Sequence, residues 1–146
     1  MILFFNPMQI AKLIVLLLIA LPAQGNEWVL VANAKAPVTS MSKDEVINIY
    51  LGRFCYFANG DKAEPFDLPT DSKIKVGFYH QLVNKDLAQI NAYWSRLVFT
   101  GRTRPPRVLA NSEAAIQYVS HHPAALAYVE REKVDARVKI VFAIAP

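Results

Sequence analysis

Cysteine and histidine are scarce in this chain: one cysteine, Cys55, and three histidines among 146 residues. A lone thiol cannot close an intramolecular disulfide, so packing rather than covalent bridging has to hold the fold. Two of the histidines, His121 and His122, are adjacent. Neighbouring side chains on a helix diverge by about 100°, whereas chelating pairs prefer a spacing of three or four, so this pair reads as a helix end favouring the C-terminal dipole and not as a metal site. Glycine is sparse too, with five residues scattered at 25, 52, 60, 77 and 101. No glycine-rich phosphate loop, dinucleotide fingerprint or nucleophile elbow can be assembled from them. The acidic pairs Asp44/Glu45 and Glu130/Glu132 read as solvated, the first as part of a helix cap. The expectation is a non-enzymatic protein with no catalytic residues, no metal and no cofactor.

Charge is low at 19%, against about 25% in ordinary domains, and apolar content is high at 53%. That excludes intrinsic disorder, and the length suits one domain. Part of the apolar excess lies at the start. Met1 to Lys12 ends in the segment's only basic side chain, Leu13 to Leu21 is uninterruptedly apolar, and Pro22-Ala23-Gln24-Gly25 supplies a breaker and small residues. This is the order of a signal peptide covering residues 1–25, with cleavage expected between Gly25 and Asn26 because Ala23 and Gly25 suit the shallow pockets of the peptidase. The apolar core is shorter than the ~20 residues needed to cross a bilayer, so no membrane span is expected in the mature protein. Export would place residues 26–146 in the periplasm or outside the cell. Without Lys12 the remainder carries 15 basic and 12 acidic side chains, a net charge of +3. That is too mild for nucleic acid, yet it suits a small anion.

Strands and helices alternate along the rest. Trp28 to Ala32 is a nearly continuous apolar run, the mark of a strand buried on both faces. Ser42-Lys43-Asp44-Glu45 is a capping box that opens a helix over Lys43 to Leu51, with Gly52 at the left-handed terminus. Asn59-Gly60 marks a turn, and Glu64 to Leu68 is a brief strand. Ile74, Phe78 and Leu82 at spacing four predict a second helix starting from Ser72. Asp86 and Gln89 cap a third, whose apolar stripe is Leu87, Ile90, Trp94, Leu97 and Val98. Arg102 to Arg107, with Pro105-Pro106, is an extended connection. Ser112 is expected to cap a fourth helix that ends at His121-His122-Pro123. Leu126 to Val129 and Val138 to Phe142 are further strands. The fold class is α/β: a mixed sheet flanked by helices. Cys55 reads as a small buried residue between aromatics, with a reactive thiol beside Arg53 as the alternative. Tyr93 and Trp94 read as core-edge residues.

Three blocks, Leu30 to Val38 with Met41 to Arg53, Phe66 to Pro69 with Ser72 and Phe78, and Val119 to Val129, resemble the periplasmic phosphate-binding proteins of ABC transporters, especially their short relatives. Ile49-Tyr50-Leu51-Gly52-Arg53 is similar to that family's I-[FY]-L-G-[KR] block, and Pro123 to Val129 is similar to its P-G-A-I-G-Y-V strand. The resemblance implies a type II periplasmic binding protein domain. The chain has material for a single lobe of the usual two. It further implies binding of an oxyanion such as phosphate, with a membrane transporter or sensor protein as partner. In that family an Arg and a Ser-Gly-Thr segment hold the anion; here Leu68 takes the Arg position and only Ser72 matches in Ser72-Lys73-Ile74.

The residues themselves suggest an anion site at Ser72, Lys73 and Lys75, where free amides, the helix dipole and two ammonium groups would converge. The alternative is that Ser72 caps the helix and both lysines are solvated. Arg102, Arg104 and Arg107 would add a basic rim. The alternative function is a periplasmic protein-interaction or sensory accessory domain that has lost its ligand.

Overall fold

β1 (Trp28–Asn33) is buried at all six positions and lies inside a five-stranded sheet, between β4 (Ala125–Glu130) and β5 (Val138–Ala143). A computed structural model describes residues 27–144, so the expected signal peptide lies outside the described residues. The sheet order is β3-β2-β4-β1-β5, where β2 is Glu64–Asp67 and β3 is the two-residue Arg107–Val108. β2 is parallel to β3 and β4, while β1 is antiparallel to both β4 and β5. β1 therefore runs against the other four strands, and the sheet is mixed.

Strand alternation divides the core in two. Trp28, Leu30 and Ala32 of β1, with Leu126 and Tyr128 of β4, pack against α1 (Lys43–Tyr50), α2 (Lys73–Val83) and α3 (Leu87–Phe99). Val29, Val31, Ala125, Ala127 and Val129 face the opposite way, onto Ala115, Ile116 and Val119 of α4 (Ser112–His121). Both faces of β1 and β4 are covered by helices, which accounts for their unbroken apolar runs. Phe78 of α2 is the centre of the larger core: its ring stacks on Tyr128 at 3.9 Å and meets Trp28 and Tyr50 edge-on.

The capping boxes form as the sequence predicts. Glu45 N–H donates to Ser42 Oγ and Ser42 N–H to Glu45 Oε2; Asp86 and Gln89 repeat the pattern at α3. Gly52 follows the end of α1 at φ 68°, and a Cβ there would lie 2.8 Å from Thr103 Oγ1 and 2.9 Å from Trp94 Cη2. Both the backbone angle and the space require glycine. Two expectations need correction. The cap of α4 is Asn111, whose Oδ1 accepts from Ala114 N–H at 2.8 Å. Ser112 is instead a buried first-turn residue whose hydroxyl donates to Glu130, and that tertiary contact moves the cap by one position. Val98 is 52% exposed and Phe99 93%, because the last turn of α3 runs past the core that holds Ile90 and Trp94.

Candidate functional site

Because β2, β3 and β4 are parallel, their C-terminal ends open on one edge of the sheet, the usual location of ligand crevices in open α/β sheets. The segments that follow them enclose a crevice of about 310 Å³ lined in part by Asp71, Ser72, Lys73, Asn111, Ser112, Glu130 and Lys133. Two helices begin there. α1, α3 and α4 each have a side-chain cap, whereas the Ser72 side chain makes no capping bond to α2. The first turn of α2 thus faces the crevice with amides that no cap side chain satisfies.

Formal charges in the crevice balance. Lys73 and Lys133 stand against Asp71 and Glu130, and Glu130 also accepts from Ser112 and pairs with Lys133 at 3.7 Å. Glu130 is accordingly a bonded residue at the end of β4, not a solvated member of the following turn. With side-chain charges cancelled, the two helix N-termini set the sign of the site, each equivalent to roughly half a positive charge.

Lys75 does not join Ser72 and Lys73 here. Lys73 and Lys75 are two positions apart on α2, a rotation of about 200°, so one meets the crevice and the other turns to the far side. Lys75 is buried and its Nζ lies 3.4 Å from Asp67 Oδ2. Asp67, also buried, accepts from Leu68 N–H at 2.8 Å, from Tyr79 Oη at 2.7 Å and from Tyr128 Oη. Burial, reinforced by the Asp67 charge, pushes the Tyr79 and Tyr128 phenols far above their ordinary range. Tyr50, whose hydroxyl donates to Phe66 O at 2.9 Å, is raised for the same two reasons.

The basic rim does not assemble around Ser72. Arg107 pairs in register with Phe66, so it lies on the α4 face, its guanidinium 5.5 Å from the Phe66 ring and 5.8 Å from that of Tyr118, with Glu64 3.9 Å away. Arg102 and Arg104 are exposed in the connection before β3 and do not line the crevice. His121 and His122 bond back to helix carbonyls, Gln117 O and Tyr118 O, as a terminal turn would. Tyr93 donates to Leu51 O at 2.6 Å and Trp94 is buried, which makes both core-edge residues. Cys55 is half-buried, with Sγ 3.8 Å from Ile49 O; burial raises its pKa and Lys62 opposes the shift.

Sequence reasoning missed Asp71, Asn111, Glu130 and Lys133 as residues of the crevice and Asp67 as the partner of Lys75. An acid between Phe66 and Leu68, both apolar, was the available signal for Asp67; the others converge only through the fold. Among the described residues, no three His, Cys, Asp or Glu side chains could together hold a metal ion, and no helix is long and apolar enough to cross a membrane.

The fold, an α/β domain with a mixed five-stranded sheet, is shared with solved substrate-binding proteins of phosphate ABC transporters. A phosphate transport receptor from Vibrio cholerae superposes with a TM-score of 0.62 at 16% identity, over 79% of this chain and 45% of that one. A Clostridium perfringens protein solved with bound phosphate gives 0.63 at 15% identity, over 79% and 44%. PstS from Borrelia burgdorferi gives 0.58 at 12%, over 79% and 46%. This chain spans under half the length of each. No protein-family model matches the sequence, and neither does any curated protein.

Proposed function

We propose that this chain is an exported, non-enzymatic solute-binding-like protein that holds a small oxyanion such as phosphate in the crevice between the N-termini of α2 and α4, and works beside a membrane transporter or sensor. One observation carries the reading: the uncapped first turn of α2 opens on the crevice into which α4 also begins. Amides of that turn, the Ser72 hydroxyl and the Lys73 and Lys133 ammonium groups would supply the donors. Asp71 and Glu130 in the same crevice oppose an anion, and Leu68 offers no guanidinium, so binding is weak. The fold shared with phosphate-binding proteins supports the reading.

Calorimetric titration with phosphate in low salt tests it. Heat of binding is expected at millimolar phosphate; Ser72→Ala should weaken binding by about 1–2 kcal/mol through one lost charge-assisted hydrogen bond, and neutral salt should weaken it further. Absence of heat, or Ser72→Ala binding like the parent, would discard the anion site. The second reading, a periplasmic protein-interaction or sensory domain without a ligand, would then lead. It is favoured by the exposed aromatics Phe54, Tyr56 and Phe99.

A further inference from the structure

A second depression, a groove of about 720 Å³, lies on the α3 side of β2 and shares no lining residue with the crevice. Its walls are mainly apolar, formed by Ile90, Trp94, Val98, Phe99, Pro106 and Val108. With Val98, Phe99 and Val108 exposed, the groove is open to solvent. Its volume falls in the range of sites for small organic molecules, which add a few placed polar groups for orientation. The groove has these too, since Asp67 and Lys75 are among its lining residues.

Donors and acceptors are unequal there. The Asp67 carboxylate offers about four acceptor positions, and Leu68 N–H, the Tyr79 and Tyr128 hydroxyls and Lys75 occupy them. Lys75 carries three N–H donors, its side chain is 10% exposed, and among the described residues its one polar partner is Asp67 at 3.4 Å. Trp94, another wall residue, has a buried indole N–H with no acceptor. Beside a saturated carboxylate, the Lys75 ammonium keeps donors free for an acceptor from outside. The apolar walls call for an apolar body attached to it.

We propose that this groove is a binding site for a small organic monocarboxylate, with its apolar body against Trp94, Val98 and Val108 and its carboxylate on Lys75 Nζ. The site is separate from the oxyanion crevice, and its test does not depend on that reading. The probes are octanoate and its neutral counterpart octanamide, titrated calorimetrically into the full chain. Octanoate should bind at least tenfold tighter than octanamide, and a large excess of inorganic phosphate should not displace it. Lys75→Met should abolish the preference for octanoate. Because that variant leaves Asp67 buried without its cation, Val98→Glu provides a second test: it places a like charge on an exposed wall position and should weaken octanoate binding at least tenfold. Absence of octanoate binding, equal binding of acid and amide, displacement by phosphate, or a folded Val98→Glu variant that binds as tightly as the parent would each overturn the proposal.

Discussion

Replacing Asp67 by Asn keeps the shape of the side chain and removes its charge, which makes it a sharp test of the buried cluster. Asp67 and Lys75 are 8% and 10% exposed at the side chain, so solvent does little to screen them. The substitution leaves the Lys75 ammonium buried without an anion, and its amide NH2 must face one of two donor pairs: Leu68 N–H with the Tyr128 hydroxyl at Oδ1, or the Tyr79 hydroxyl with Lys75 at Oδ2. Breaking a buried ion pair from one side costs about 3–5 kcal/mol. Set against a typical domain stability of roughly 5–15 kcal/mol, this would bring the protein close to unfolding. Removing both charges together, as Asp67→Asn with Lys75→Met, leaves no orphaned charge and should recover much of the loss. Urea unfolding at neutral pH, followed by tryptophan fluorescence, measures all three proteins. A loss below about 1 kcal/mol for Asp67→Asn, or a double variant no more stable than the single one, would refute the reasoning.

Gly52→Ala should cost roughly 2–5 kcal/mol, combining about 1–2 for a left-handed non-glycine residue with about 1–3 for overpacking against Trp94 and Thr103; the shift of the urea midpoint reads this. Tyr50, Tyr79 and Tyr128 have pKa values raised by burial and by Asp67. Above about pH 10 the unfolded chain releases protons that the native state retains, so stability falls as pH rises. Absorbance titration should show these three phenolates appearing only as the protein unfolds. Cys55, half-buried with a raised pKa, should react slowly with a bulky thiol reagent in the native state and rapidly in urea.

Local features were legible in the sequence. The run Trp28 to Ala32 and the two capping boxes depend on residues within a few positions of one another, and all three form. The cap of α4 was misplaced by one because Asn111 and Ser112 are both good capping residues, and only the contact of Ser112 with Glu130, from a strand formed later in the chain, separates them. The grouping of Lys73 with Lys75 conflicts with helical periodicity itself, which already points them apart. That Lys75 meets Asp67 requires α2 to dock on β2. The side taken by Arg107 follows from the β2–β3 register, which no local pattern encodes. The crevice likewise draws on segments far apart in the chain, so its charge balance emerged only with the fold.

Amide chemical shifts, followed through a phosphate titration of isotopically labelled protein at low salt, test the central claim most directly. The account predicts saturable shifts at the amides of residues 72–74 and 112–114, where α2 and α4 begin, with those on β5 unmoved. Shifts confined to other surfaces, or none at millimolar phosphate, would contradict it.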